Sequence, residues 1–503
     1  MMIGRTARTL RALHPVQIAW RLPHAASEHI RWAISASGGP RLATEWPPPP
    51  ASLRRLVEGE RVRARERLGR LPGDSHLRAY EACYGLELGA AGRDVPAAWP
   101  TSVALEPYPA SIRARALAVA VRFGRHDVGE ELTRAARAVL LQPELHLLGN
   151  HVLENGLALV CAAAVTRGPE SDAWRRMGIM LLTWQMPKQF LPDGGHVERS
   201  ASYHLALTAG LLECLELAES SRRPLPTIFR EIAERALGWV SVVEAPDGTY
   251  PLFNDAALDA APCISDVVAL GADLGIRPSR VVRERRAGDL STTRLESTGW
   301  VRIDARDATV IIDAGPDATG FQPGHTHADG LGFEAWIRGE RAVVDFGVAS
   351  YEAGPQRDET RATRSHNTVE VGGQNSCEVW GAFRVGRRGR GRVVASGLES
   401  DVAWIQLHHD GYTWLPGRPR HVRVVTVRGG TLEVHDRVTK ANVSCTSRLR
   451  LDRVAGERLK VVGTDRRFED RWYPRHGSSV DADVHEQPFE AGDAGGARWR
   501  IEW

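Results

Sequence analysis

The apolar residues between positions 110 and 243 recur at intervals of three and four, which is the spacing of one face of an α-helix. This spacing holds over six segments, namely 110–122, 129–141, 151–166, 171–186, 200–219 and 226–243. Short breaks rich in Gly, Pro and Asp separate the segments, as in RGPESD at 167–172. Many helices joined by short connections predict antiparallel helix pairs stacked in series.

The pattern changes near residue 285, beyond which apolar and polar residues alternate as they do in half-buried β-strands. The segments that fit strands are 299–305, 308–315, 331–337, 341–347, 367–373, 402–412, 421–427, 431–438 and 498–503. Short Gly-containing turns at 338–340 and 428–430 are typical of hairpins. We therefore predict a helical domain over residues 1–285, a mainly antiparallel β-sandwich of ten or more strands over 290–503, and a linker within 270–295.

The composition narrows the function classes. The formal net charge is only +3, from 65 basic and 62 acidic residues, whereas a general nucleic-acid binder shows a strong basic excess. The six cysteines include no CxxC pair, so neither a disulfide framework nor a zinc–cysteine site is predicted. Almost all basic residues are arginine, which suits carboxylate and sulfate ligands and is also what a GC-rich genome produces.

The N-terminal region lacks the apolar core of a signal peptide, and no stretch reaches the ~18–20 apolar residues of a membrane span. These absences predict a cytoplasmic protein by default. A misassigned start codon would hide an export signal, and the protein would then be periplasmic or secreted.

Two polar clusters lie in the helical half. Asn150 and His151 open a predicted helix in which Glu154 shares a face with Asn150, and a helix start offering an amide and an imidazole can bind a carboxylate. An asparagine cap with a surface histidine is the alternative for this first cluster.

The second polar cluster is formed by Glu198, Arg199 and Tyr203, at the start of the predicted helix 200–219. Arg199 and Tyr203 are four residues apart, so we expect the guanidinium to stabilise the phenolate for proton transfer. An ordinary polar loop before a helix would show the same residues.

Two further clusters lie in the sandwich half. His325 and His327 alternate in HTHAD, so in an extended chain both side chains point to one side. Asp345 ends the strand that pairs back toward His327, and His366 begins the segment SHNTV. Two imidazoles and one carboxylate suit Zn²⁺, with Mn²⁺ as the alternative.

These four clusters, in this order, resemble the heparinase II/III and alginate lyase families over roughly residues 80–450. The run HTHADGLGFEAWIRGERAVVDFG, followed by a tyrosine and by RDETRATRSHNTV, is similar to the C-terminal signature of heparinase II/III. The resemblance implies an α+β multidomain fold, in which an incomplete (α/α) toroid precedes an antiparallel β-sandwich and the active site lies in the cleft between them.

The resemblance also implies roles for individual residues. Asn150 would neutralise a substrate carboxylate, helped by Arg199, while His151, Tyr203 and His325 would be catalytic. Tyr351 and Arg361, with Glu198 and Arg199, would contact the substrate. His327, Asp345 and His366 would hold one structural divalent metal, Zn²⁺ or Mn²⁺, that takes no part in the chemistry.

The predicted function is a carbon–oxygen lyase that cleaves a uronic-acid polysaccharide by β-elimination. Either Tyr203 or His151 would take the C5 proton, and Tyr203 would protonate the departing oxygen. The anionic substrate stays open among heparan sulfate, chondroitin, hyaluronan and alginate, as do endo or exo action and the oligomeric state.

Two rival functions remain. A glycoside hydrolase on a similar toroid would need two carboxylates, for which Asp193, Glu198 and Asp255 are candidates. A non-catalytic polysaccharide-binding or assembly protein would not depend on the Tyr203 hydroxyl.

Overall fold

The structure is a computed structural model that describes residues 5–6, 8–9, 13–17, 19–21, 38–70, 106–279, 283–318, 320–439, 442–492 and 495–503. Its N-terminal half is helical, as the periodicity predicts. The helices are α1 Ala51–Arg70, α2 Pro107–Arg122, α3 Gly129–Leu141, α4 Gly149–Ala164, α5 Pro169–Gln189, α6 Ala201–Ser220, α7 Thr227–Val243 and α8 Ile264–Asp273. All six predicted helical segments are confirmed, with ends that differ by a few residues.

Helix α4 lies at the centre of the helical domain, in contact with α2, α3, α5 and α6. Every residue of α4 except His151 is buried. Such burial requires an apolar helix, and the sequence from Gly156 to Ala164 contains no charged or strongly polar residue. The polar residues Asn150, His151 and Glu154 are confined to its first two turns, so they mark the end of the helix that meets the sandwich.

The C-terminal half is built of antiparallel strands. Two short strands in the helical half, β1 Arg41–Leu42 and β2 Thr166–Arg167, pair with each other. The strands that follow are β3 Arg283–Ala287, β4 Leu290–Leu295, β5 Trp300–Ala305, β6 Ala308–Asp313, β7 Phe333–Ile337, β8 Glu340–Val343, β9 Val369–Val371, β10 Val379–Trp380, β11 Arg384–Val385, β12 Gly391–Leu398, β13 Val402–His409, β14 His421–Arg428, β15 Thr431–Val438, β16 Ser444–Asp452, β17 Lys460–Val462, β18 Arg466–Arg475, β19 Ser478–Glu490 and β20 Ala497–Glu502. Two short helices, α9 Pro355–Thr360 and α10 Arg453–Gly456, interrupt them.

The strands form two large sheets. The ten-stranded sheet has the order β18-β19-β16-β8-β7-β6-β5-β4-β3, and β9 also pairs with β16. The six-stranded sheet has the order β12-β13-β14-β15-β20-β17. The predicted fold class, a helical domain followed by an antiparallel sandwich, is therefore confirmed.

Alternate residues of the larger sheet face two different cores. Trp300, Ile311 and Trp336 pack into the core shared with the helices. Their neighbours Val301 and Ile312 pack into the core between the two sheets. The molecule thus has three layers in which helices cover one face of the ten-stranded sheet and the six-stranded sheet covers the other.

The predicted linker is wrong. Residues 264–273 form α8, and 283–287 and 290–295 form β3 and β4 at the edge of the ten-stranded sheet. The charged sequence RERRA was mistaken for a connector because an edge strand exposes many of its side chains to solvent. Among the helices of the described ranges, none is long and apolar enough to cross a membrane.

Candidate active site

The start of α4 places Asn150 at the junction of the two domains. Leu148 and Gly149 have φ values of 59° and 60°, and this left-handed bend aims the first turn of the helix at the sandwich. The backbone N–H of Asn150 donates to Oε1 of Glu198 over 2.9 Å. The Asn150 side chain is buried, and its amide oxygen has no hydrogen-bond partner in the described part of the chain. The amide is therefore available to a ligand.

His151 is the residue of α4 that faces the cleft, with its side chain 22% exposed. Its Nδ1 lies 3.0 Å from Oε1 of Glu144, and its ring lies 4.4 Å from that of Tyr108 between centroids. Burial opposes the imidazolium, but the Glu144 carboxylate outweighs it and raises the pKa of His151 above its ordinary value. The Glu144 carboxylate thus favours the imidazolium form of His151.

Tyr203, on the first turn of α6, meets two side chains of the sandwich. Its hydroxyl donates to the hydroxyl of Tyr351 over 3.2 Å, and its ring lies 4.1 Å from the His325 ring between centroids. Burial first, and then Tyr351 and the Asp255 carboxylate, raise the pKa of Tyr203 well above its ordinary value. The phenol therefore keeps its proton in the resting protein.

The expected pairing of Arg199 with Tyr203 is wrong. Arg199 precedes α6 with a φ of 53°, so the two residues do not share a helical face. Its Nε donates to the carbonyl oxygen of Thr298 over 2.9 Å, and the acidic side chains around it are Asp313, Asp193 and Asp317. Arg199 thus joins the helical domain to the sandwich instead of facing Tyr203.

Asp255 organises the sandwich side of the cleft. It is fully buried, and its Oδ2 lies 2.9 Å from His325 Nδ1 while its Oδ1 lies 2.8 Å from His327 Nε2. The guanidinium of Arg357, on α9, donates to both oxygens. Burial favours the neutral acid, but Arg357 and the two histidines outweigh it and hold the pKa of Asp255 well below its ordinary value.

Asp255 and Arg357 carry no role in the predicted lyase site. Asp255 was considered only as a hydrolase carboxylate, because it lies 70 residues before His325 in an otherwise apolar stretch. The segment PLFNDAA contains an acidic residue but has no basic residue near it in sequence. A buried carboxylate in such a segment indicates a charged partner that is distant in sequence.

Glu198 connects Asn150 to His325. Its Oε1 accepts from the Asn150 backbone, and its Oε2 lies 3.7 Å from Nε2 of His325. Burial raises the pKa of Glu198 above its ordinary value, although His325 acts in the opposite direction. Asn150, Tyr203 and His325, which come from α4, α6 and the loop between β6 and β7, therefore meet at one place.

The two residues expected to bind substrate from the sandwich have different positions. Tyr351 lies in the site, against Tyr203 and beneath the Arg357 guanidinium, whose carbon is 5.2 Å from the ring centroid. Arg361 is 1% exposed and donates to the carbonyl oxygens of Thr326, Gly381, Ala382 and Arg384. These bonds use its guanidinium to hold two loops together, and contact of Arg361 with a substrate stays a prediction.

The three expected metal ligands lie close together. The Asp345 carboxylate meets Nδ1 of His366 at 2.9 Å, and the His327 and His366 rings are 5.3 Å apart between centroids. Nδ1 of His327 and Nε2 of His366 have no partner among the described residues, so two buried nitrogens are free to bind an ion. The carboxylate is engaged with His366, and within the described ranges no group of three His, Cys, Asp or Glu side chains is arranged to hold a metal.

The carboxylates that a hydrolase would use are occupied. Asp193 accepts from the backbone N–H groups of Ser297 and Thr298 at 2.7 Å each, and Asp255 is held by Arg357 and the two histidines. Only Glu198 of the three candidates keeps an oxygen without a hydrogen-bond partner in the part of the chain described. A pair of carboxylates flanking a glycosidic bond is therefore not formed by these residues.

Two family models match the chain. The heparinase II/III N-terminus model matches residues 133–270, and the C-terminal heparinase II/III-like model matches residues 288–473. The heparin-sulfate lyase of Bacteroides stercoris is 28% identical over 244 residues, which cover 45% of this chain and 36% of that protein. The heparin-sulfate lyase of Pedobacter heparinus is 26% identical over 246 residues, with the same two coverages of 45% and 36%. The matched segment thus spans little more than a third of the length of these relatives.

Solved structures share the fold. The crystal structure of heparinase III aligns over 95% of this chain and 88% of its own with a TM-score of 0.62 at 14% identity. The heparan sulfate lyase HepC from Pedobacter heparinus aligns over 95% of this chain and 87% of its own with a TM-score of 0.54 at 15% identity. At such identities the likeness concerns the arrangement of helices and sheets.

Proposed function

Because this chain belongs to the heparinase II/III family, we propose that it is a lyase that cleaves a uronic-acid polysaccharide by β-elimination. The observation that carries the proposal is the meeting of Asn150, Tyr203 and His325 between the two domains. An amide, a phenol and an imidazole supply the donor, acid and base that β-elimination requires, and no carboxylate pair competes for the same place.

The first requirement is to lower the charge on the substrate carboxylate, because a carboxylate resists the further charge that develops when the C5 proton leaves. The Asn150 side chain makes no hydrogen bond within the described residues, so its NH2 group is left to donate to this carboxylate. A protonated His151 beside it would add a positive charge, which the Glu144 carboxylate favours by raising the pKa of His151. Donors aimed at developing charge in a site shielded from water are typically worth ~10²–10³ in rate each.

The second requirement is proton transfer. Nδ1 of His325 is held by the ionised Asp255, so its Nε2 faces Glu198 and the cleft and can accept the C5 proton. The C5–H electrons form the C4–C5 double bond, the C4–O bond breaks, and the neutral phenol of Tyr203 donates its proton to the departing oxygen. The raised pKa of Tyr203 keeps the phenol protonated before the reaction, as a general acid must be. Where proton and leaving group lie on the same side, Tyr203 would perform both transfers after giving its own proton to His325, whose ring lies 4.1 Å away between centroids.

The substrate is proposed from the relatives' names and from charge. The curated relatives are heparin-sulfate lyases, so we place sulfated glycosaminoglycans first, ahead of hyaluronan and alginate.

We also propose that His327, Asp345 and His366 hold a structural divalent metal, Zn²⁺ or Mn²⁺. The two free imidazole nitrogens support binding, while the engaged carboxylate of Asp345 requires that it turn from His366 or that water complete the site. Metal analysis of the purified protein tests this. A stoichiometric metal lost in His327→Ala would support the site, and a metal-free, fully folded protein would refute it.

The test of function is the ultraviolet absorbance of the unsaturated uronate formed from heparan sulfate, chondroitin, hyaluronan and alginate. We expect absorbance to rise with at least one substrate and Tyr203→Phe to lower the rate by ~10²–10⁴, the usual worth of a general acid or base. Tyr412→Phe is the matched control, since it removes a buried hydroxyl that donates to Val369 within the sandwich. No absorbance with any substrate would favour the non-catalytic binding or assembly protein.

A further inference from the structure

Described residues near the N-terminus contact both domains. We call the described residues 8–9, 13–17 and 19–20 the bridging segment. Arg8 donates to both carboxylate oxygens of Glu378, at 2.8 and 2.6 Å, and the Thr9 hydroxyl donates to the carbonyl oxygen of Val385 over 3.0 Å. These contacts attach one end of the segment to the β10–β11 hairpin of the sandwich half.

The other end of the segment lies between the two walls of the cleft. The side-chain amide of Gln17 donates to the carbonyl oxygen of Leu147 over 2.8 Å and to that of Phe321 over 3.1 Å. Leu147 lies three residues before Asn150, and Phe321 lies four residues before His325. Gln17 is 2% exposed, so this single amide joins both catalytic walls within a buried contact.

Two neighbours of Gln17 also contact the helical domain. The indole of Trp20 donates to the carbonyl oxygen of Pro143 over 3.1 Å, and Val16 packs against the helical core. The two walls also touch directly, because the Gln322 side chain lies so close to Gly149 that an added Cβ would be 2.7 Å from it. Together these contacts join the two walls beside Asn150 and His325.

We propose that the bridging segment closes one end of the cleft, so that the protein removes units from a chain end instead of cutting within the chain. This inference rests on the proposed lyase function. The closed end would stop the substrate a short distance beyond the bond that is broken, which favours oligosaccharides and chain ends over the interior of a polymer.

The experiment follows two quantities in one reaction, with a polymer that gives an absorbance signal. Absorbance counts the bonds broken, and size-exclusion chromatography gives the size of the remaining polymer. The wild-type protein should release small unsaturated products from the first time points, while the remaining polymer stays close to its starting size. A ladder of intermediate sizes at early times would overturn the inference.

The role of the segment is tested with Gln17→Ala. This variant should shorten the polymer several-fold more per bond broken, whatever its rate on a short uronate oligosaccharide, because the shortening per bond does not depend on the rate. Gln406→Ala is the matched control, since Gln406 lies on β13 in the six-stranded sheet. An unchanged product pattern in a Gln17→Ala protein that cleaves the short oligosaccharide normally would show that the segment does not select chain ends. No absorbance with polymer or oligosaccharide would instead remove the lyase proposal itself.

Discussion

Asp255 shows how much of the cleft depends on one buried charge. Its two oxygens hold Arg357, His325 and His327, which come from α9 and from the loop between β6 and β7. A carboxylate removed from water is stable only when such partners compensate for the lost solvation. The same residue therefore contributes to the stability of the domain junction and to the orientation of His325.

Asp255→Asn should reduce both stability and activity. It leaves the Arg357 guanidinium buried without its counter-charge, and breaking a buried pair in this way typically costs about 3–5 kcal/mol. Chemical denaturation measures the free energy of unfolding. Asp304→Asn is the control, because its pair with Arg302 is partly exposed and is worth about 1 kcal/mol or less. Equal losses in the two variants would contradict the account.

A second buried charge predicts sensitivity to acid. Asp436 is fully buried, and Arg423, His421 and Ser447 bond to it. Burial favours the neutral acid, but Arg423 foremost outweighs it and holds the pKa of Asp436 well below its ordinary value. A carboxyl whose folded pKa is lowered contributes stability above its unfolded pKa of ~3.9 and loses it as pH falls below that value.

The unfolding free energy of Asp436→Asn should therefore fall below that of the wild type by about 3 kcal/mol near pH 7. The difference should narrow as the pH drops below ~4, because the unfolded wild type then binds the proton that folded Asp436 resists. Denaturant melts at several pH values measure this. A difference that stays constant down to pH ~2 would show that Asp436 does not account for the acid sensitivity.

At the level of elements, the sequence predicts the helices better than the strands. Helix periodicity extends over many residues, so six segments between 110 and 243 could be located to within a few residues. The pattern does not predict β3, β16, β18 and β19, because charged residues interrupt their alternation. Strand β12 is not predicted because most of its side chains are half-buried and do not alternate. The Arg199–Tyr203 pairing failed for a local reason, the left-handed backbone at Arg199, which no periodicity reveals.

The bend before α4 allows a prediction about Gly149. An alanine there would meet a positive φ, and its Cβ would lie 2.4 Å from Oε1 of Glu198 and 2.7 Å from Gln322. Both side chains would have to move, and Glu198 would lose the contact that joins Asn150 to His325. Gly149→Ala should therefore lower kcat by tenfold or more. Its backbone strain should also lower the free energy of unfolding by ~1–2 kcal/mol.

Gly248→Ala separates the two effects. Gly248 has a φ of 74°, but nothing lies within 4 Å of the added Cβ. Its stability should fall by a similar ~1–2 kcal/mol while its kcat stays unchanged. If Gly149→Ala loses stability but keeps full activity, the position of α4 is not what sets the catalytic geometry.

For the whole molecule, the site exists only where the helical domain and the sandwich meet. Asn150 and Tyr203 belong to the helices and His325 to the sandwich, so the site depends on every contact that fixes the two domains. Sequence reasoning brought these residues together through family resemblance, because no local pattern reports a contact between positions more than a hundred residues apart. The bridging segment escaped prediction for the same reason.

The central claim is that bond cleavage occurs by elimination at this junction. The most direct measurement is mass spectrometry of the products formed from a defined uronate oligosaccharide in heavy-oxygen water. Elimination predicts an ultraviolet-absorbing product and a second product without heavy oxygen, both formed ~10²–10⁴ times more slowly by Tyr203→Phe. Incorporation of heavy oxygen at the cleaved bond, with no absorbing product, would show hydrolysis and contradict the account.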